Sequence, residues 1–135
     1  MTIIICVDDN WGIMFNHRRQ SQDKTLREHI LNEIKGNTLR MNSYSAKMFG
    51  KHPQICVDED FMNMAAPDDY CFVEDCSVSP YKKKINQVIV YKWNRNYPAD
   101  QYFDMSLTDN GWRLISSEDF VGNSHEKITK ERYIK

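Results

Sequence analysis

In one short stretch the chain gathers His17, Arg18, Arg19, Gln20, Ser21 and Asp23. Two adjacent guanidinium groups offer permanently charged forks that match a carboxylate or phosphate. A helix starting just beyond them would add unpaired backbone N–H groups and the positive end of its dipole. That combination describes an anion site at a helix mouth, with Ser21 as a further donor; the same residues would also serve as a solvated basic loop. Asp23 suits the first turn of such a helix, where the dipole favours a carboxylate.

Metal chemistry finds no support. His17, His29, His52 and His125 show no two-ligand spacing with one another or with the four cysteines. The acidic clusters Asp58-Glu59-Asp60 and Asp68-Asp69 lack the alternate spacing and the glycine of a calcium loop, and read as acidic turns. The chain has no P-loop, no G-x-G-x-x-G after its first apolar run, no G-x-S-x-G and no H-E-x-x-H. The H-x-H-x-D-H cluster of ribonuclease Z is absent too.

These residues must be positioned by a chain of 135 residues carrying 18 basic and 19 acidic groups. That length suits one domain, spanning residues 1–135, which would bury roughly two thirds of its unfolded surface. The balanced charge gives no field to recruit nucleic acid or an anionic membrane. Lys82-Lys83-Lys84, the longest basic run, reads as a solvated turn or helix face. No stretch approaches the ~20 apolar residues of a membrane helix. The N-terminus lacks the basic region of a secretory signal, so a cytoplasmic location with reduced cysteines is expected. Cys6, Cys56 and Cys71 sit in apolar runs as small hydrophobes, and Cys76 lies just past one.

Ile3 to Val7 is a β-branched run suited to a strand buried on both faces. Asn16 to Gln20 reads as a loop. A helix follows from about Ser21–Thr25 to Lys35, with Thr25 and Glu28 at capping-box spacing and Leu26, Ile30, Leu31 and Ile34 on one face. Gly36 would end it. Thr38–Met41 predicts a strand, and Ser43–Phe49 a short helix capped by Ser43 and stopped by Gly50. Gln54–Val57 and Tyr70–Val73 read as buried strands. Gln87–Trp93, Gln101–Met105 and Trp112–Ile115 follow, the last two separated by the turn Thr108-Asp109-Asn110-Gly111. Ile128–Tyr133 reads as a closing strand, its charges also allowing a terminal helix. The pattern predicts an α/β fold: a mixed sheet of about seven or eight strands flanked by helices.

In order and spacing these segments resemble dihydrofolate reductase over nearly the whole chain. Val7-Asp8-Asp9-Asn10-Trp11-Gly12-Ile13 resembles that family's first strand and active-site loop. The helix up to Lys35, followed by Gly36-Asn37-Thr38-Leu39-Arg40-Met41, is similar to its first helix and second strand. Gly50-Lys51-His52-Pro53, Tyr97-Pro98-Ala99-Asp100-Gln101-Tyr102-Phe103, Gly111-Trp112-Arg113-Leu114-Ile115-Ser116 and Asn123-Ser124-His125 continue the likeness.

The resemblance implies a family pattern at the functional positions, and the chain departs from it. The tryptophan and leucine-proline before the family's catalytic carboxylate become Arg18-Arg19-Gln20-Ser21-Gln22-Asp23. Asp23 is the candidate acid, although spacing counted back from Gly36 puts that position at Leu26. The arginine-x-threonine that holds the NADPH phosphates becomes Asn42-Ser43-Tyr44-Ser45, leaving Ser45 for the threonine and nothing for the arginine. The glycine pair at the pyrophosphate becomes Glu74-Asp75, whose carboxylates would repel it. Lys51 stands for the arginine that clamps the folate tail, and Gln101 for the threonine that orders the pterin's water. The expectation is therefore a protein without a cofactor. It would be a binding or regulatory protein, either an inhibitor or immunity-type partner of another protein or a sensor of a small anionic ligand. Arg18, Arg19 and Lys51 would share its cleft. The alternative is an NADPH-dependent reductase, or another enzyme acting on an anionic substrate in that cleft.

Overall fold

A computed structural model describes residues 1–108 and 111–135. In chain order the strands are β1 (Thr2–Val7), β2 (Gly12–Phe15), β3 (Arg18–Arg19), β4 (Leu39–Met41), β5 (Ile55–Val57), β6 (Tyr70–Val73), β7 (Gln87–Lys92), β8 (Gln101–Tyr102), β9 (Arg113–Phe120) and β10 (Ile128–Ile134). The helices are α1 (Lys24–Ile34), α2 (Ser43–Phe49) and α3 (Phe61–Met64).

Among the described residues the main sheet has seven strands in the order β5-β4-β6-β1-β7-β10-β9. β1 lies at its centre, parallel to β6 and β7, because Ile3, Ile4, Ile5 and Val7 are apolar toward both faces and all fully buried. β4 is parallel to β5 and β6, and β10 runs antiparallel between β7 and β9. A second sheet of β3-β2-β8 sits beside it. This is the mixed α/β architecture expected.

α1 packs across one face. Leu26, Ile30 and Ile34 meet Ile4, Phe72, Ile89 and Tyr91 of the sheet in one apolar cluster. Burying each such side chain is worth about 1.5–3 kcal/mol. The opposite face carries Ile3, Ile5, Val88 and Val90 against Phe61 and Met62 of α3 and Ile13 of the small sheet.

Several local expectations are corrected. The N-cap of α1 is Asp23, whose side chain accepts from the Leu26 N–H, so the Thr25–Glu28 box is not the cap. The helix ends with Lys35 in the left-handed region at φ 48° and Gly36 following at φ 84°. α2 is capped by Asn42 rather than Ser43, through Asn42 Oδ1 and the Ser45 N–H. The loop read over Asn16–Gln20 is a hairpin. Phe15 faces Arg18 across the two-residue turn Asn16-His17, and both turn residues have positive φ, as a type I′ turn requires. β5 is the sheet's edge, not a buried strand, and Cys56 and Val57 are exposed. β8 is only two residues long, whereas β9 runs to Phe120, well past the expected Ile115. α3 and a 3-10 turn at Ser79–Tyr81 were not foreseen. Of the turn expected at 108–111, Asp109 and Asn110 lie outside the described residues; Gly111 has φ 90°. All four cysteines are free. Lys82, Lys83 and Lys84 are exposed, as the solvated-turn reading expects.

Candidate functional site

In sheets of this kind ligands enter beyond the C-terminal ends of the parallel strands. Here that region is bounded by Cys6 of β1, Phe72 and Val73 of β6, and the start of α1. Glu74 leaves β6 directly into it, and β3 delivers Arg19 opposite. The two lock as a fork, with Arg19 Nε donating to Glu74 Oε2 at 2.8 Å and Nη2 to Oε1 at 3.0 Å. Ser45 Oγ donates to the same Oε1 at 2.7 Å. The guanidinium lies 4.4 Å from the centre of the Tyr44 ring, and the Arg19 N–H donates to Tyr44 Oη at 2.9 Å. Arg19 is thus spent on internal partners. Beside Leu26, Phe72 and Trp93 there remains a cavity of about 20 Å³, room for one water. Gln20 lines it, and its Oε1 is buried with no hydrogen-bond partner among the described residues.

The stretches 42–45 and 74–75 are tied to each other. Asn42 Nδ2 donates to Asp75 Oδ1 at 2.9 Å, and Ser45 reaches Glu74 as above. Gln101 Nε2 donates to the Asp75 carbonyl at 2.8 Å, so this side chain too serves the 74–75 turn.

Asp23 is fully buried and acts as a clamp. Oδ1 accepts from the N–H groups of Leu26 and Asn123, and Oδ2 from the Ser124 N–H and the Ser124 hydroxyl. His125 Nδ1 lies 3.0 Å from Oδ2. Burial alone would raise this carboxyl's pKa. The backbone N–H groups of Asn123 and Ser124, the His125 ring and the Leu26 N–H outweigh it and hold the group well below the usual carboxylate range. In this structure the Asp23 carboxylate serves as the acceptor that joins the start of α1 to the 123–125 segment. Leu26, the alternative position, lies in the α1 core.

His125 is the residue that sequence reasoning missed as a site residue. Its ring is stacked on Trp93 at 4.6 Å and is almost fully buried, and its Nε2 lies 3.0 Å from Ser21 Oγ and 3.2 Å from Tyr97 Oη. Ser21 therefore faces a histidine rather than a free anion. No local pattern could have found this contact, because the partners are 104 residues apart.

Arg18 is exposed on the β2–β3 hairpin, and Lys51 lies in a separate place. A groove of about 490 Å³ between α2 and β5 is lined by Ala46, Lys47, Lys51, His52, Ile55 and Val57. Arg18, Arg19 and Lys51 do not converge on one cleft as expected: Arg19 closes the first cavity and Lys51 borders the second.

Among the described residues no group of three or more histidine, cysteine, aspartate or glutamate side chains could hold a metal ion, and no helix is long and apolar enough to cross a membrane. No family model matches the sequence, and no curated protein matches it either. Among solved structures it is similar to dihydrofolate reductase from Enterococcus faecalis complexed with NADP(H) and RAB-propyl. The TM-score is 0.71 at 11% identity, over 98% of this chain and 94% of that one. Identity this low speaks for the fold alone, and the fold is what the strand order and the α1 packing had already indicated: this chain is built as a divergent dihydrofolate-reductase-like α/β protein.

Proposed function

We propose that this chain is a single-domain cytoplasmic protein that keeps the reductase framework but has lost the groups that hold the cofactor, and that it acts by binding. It would be an inhibitor or immunity-type partner of another protein, or a sensor of a small anionic ligand. The observation that carries this reading is the direct bonding of 42–45 to 74–75, with Asn42 on Asp75 and Ser45 on Glu74. Any dinucleotide entering between these stretches would have to break both contacts and meet two carboxylates. The same argument covers the pterin side, where the Arg19–Glu74 fork and the side chains of Leu26, Phe72 and Trp93 leave space for one water.

The α2–β5 groove is the better seat for a ligand. Its size falls in the range of small-molecule sites; Ile55, Val57 and Ala46 give it apolar lining, and Lys47 and Lys51 supply cations. A small anion with an apolar body fits that chemistry. The test is a melting-temperature screen against aromatic and aliphatic carboxylates and phosphates, repeated on Lys51→Ala. A stabilising anion whose effect Lys51→Ala abolishes supports the reading. A ligand set confined to NADPH and dihydrofolate would replace it with the reductase alternative.

A further inference from the structure

We propose that Ser21, His125 and Asp23 form a nucleophile relay, with Ser21 as an acyl acceptor for small carboxylic esters. The three side chains stand in the order such a relay needs. Ser21 Oγ is 3.0 Å from His125 Nε2, and His125 Nδ1 is 3.0 Å from Asp23 Oδ2. The carboxylate is fully buried and the imidazole almost so, while the serine is half-buried at the mouth of the small cavity. In a relay of this kind the buried carboxylate fixes the imidazole tautomer, the imidazole takes the hydroxyl proton, and the oxygen attacks. Stacking on Trp93 fixes the ring plane as well.

A purely structural role does not need the serine. Leu26, Asn123 and Ser124 already supply Asp23 with four donated hydrogen bonds, and the 122–125 segment is anchored to the start of α1 through them. In the tautomer whose Nδ1–H faces Asp23 Oδ2 at 3.0 Å and Ser124 Oγ at 3.1 Å, Nε2 is the acceptor that faces the hydroxyl groups of Ser21 at 3.0 Å and Tyr97 at 3.2 Å. A buried histidine base holding a half-exposed serine hydroxyl is a reactive arrangement, and the clamp would be complete without it.

The chemistry balances with water alone. As the Ser21 Oγ–carbon bond forms, the hydroxyl proton passes to His125 Nε2, and the leaving alcohol departs with that proton. A water then attacks the acyl carbon, gives a proton to Nε2, and Ser21 Oγ leaves and recovers it. The sum is ester plus water giving acid plus alcohol. The cavity beside Ser21 holds one water and no more, so the ester must meet the half-exposed Ser21 from the solvent side, and the unpartnered Gln20 Oε1 gives that water an acceptor. A short acyl group such as acetyl is therefore the class expected, with the rest of the ester in solvent.

The test uses p-nitrophenyl acetate on the full chain, following nitrophenolate release and the mass of the protein. The expected result is a burst matched to the protein concentration and one acetyl group on Ser21. Ser21→Ala should abolish both. His125→Ala should slow acylation at least about a hundredfold, as loss of a general base does, and added imidazole should restore part of the rate, which a merely structural histidine would not show. No acetyl on Ser21, acetyl on Tyr97 instead, or an unchanged rate in His125→Ala overturns the proposal. None of these outcomes bears on the α2–β5 groove or on NADPH, so the binding reading stands or falls separately.

Discussion

The cleft over β1 and β6 and the groove between α2 and β5 are lined by polar groups used in opposite ways. In the cleft, Arg19, Glu74, Ser45, Asn42 and Asp75 face one another, and about 20 Å³ is left. In the groove, Lys47 and Lys51 border about 490 Å³ alongside the apolar Ala46, Ile55 and Val57. In the first arrangement each internal charge-assisted bond must be broken before a new one forms. In the second no such internal bond stands in the way among the described residues. Within one framework, then, the polar groups of the cleft bond to one another, and the groove leaves its lysines without such partners among the described residues.

Breaking the closed cleft should have the largest effect. Arg19→Ala leaves Glu74 buried without its partner and should cost about 3–5 kcal/mol in urea unfolding. Replacing the pair together, Arg19→Met with Glu74→Leu, should recover most of that loss. A single-mutant cost under about half a kilocalorie, the range of ordinary surface changes, would mean the fork does not hold the cleft shut.

Ile30→Ala probes the framework that both regions share. Ile30 is fully buried in the α1 face, and its truncation should cost about 2–5 kcal/mol.

Asp23→Ala removes the N-cap of α1 and leaves the Asn123 and Ser124 N–H groups unpaired, for a loss of about 2–4 kcal/mol. The acid dependence follows from the direction of its shift. Asp23 is held below its unfolded value of about 3.9, so its contribution is fully present above that pH and is lost as the pH falls through the folded value. Urea midpoints measured downward from pH 5 should fall more steeply for the parent than for Asp23→Ala. Parallel curves would deny Asp23 its part in the clamp.

Lys51→Ala sharpens the other side. Exposed at the groove, it should change stability by less than about 0.5 kcal/mol while weakening any anion bound there.

The sequence disclosed the parts whose cause is local. The apolar run Ile3–Val7 can only sit at the middle of a sheet, and the spacing of Leu26, Ile30 and Ile34 can only bury one helix face, so the layers and their order were legible. Asp23 was legible as a residue for a helix N-terminus, and that is its role. The turn Asn16-His17 was hidden because neither residue is the glycine that usually announces positive φ. Gln54–Val57 looked buried because its residues are apolar, yet position at the sheet edge leaves Cys56 and Val57 in solvent. Most of the site could not be read, since its contacts join distant segments: Arg19 to Glu74 across 55 residues and Asp23 to His125 across 102. Those pairings decide whether a given charge faces solvent or a neighbouring side chain, and only the fold sets them.

Whether the cleft over β1 and β6 is shut is decided by titrating NADPH while following tryptophan fluorescence, with dihydrofolate turnover measured on the same protein. Trp93 lines the closed cavity and would report a ligand entering it. Losing one charge-assisted phosphate contact costs about 1.5–3 kcal/mol, and each nearby carboxylate adds roughly a kilocalorie of repulsion at ~4 Å. Binding should therefore be weaker than a working reductase's by about three orders of magnitude or more. A shut cleft gives no saturation at micromolar NADPH and no turnover above background; micromolar binding, or measurable reduction of dihydrofolate, would mean that it is open.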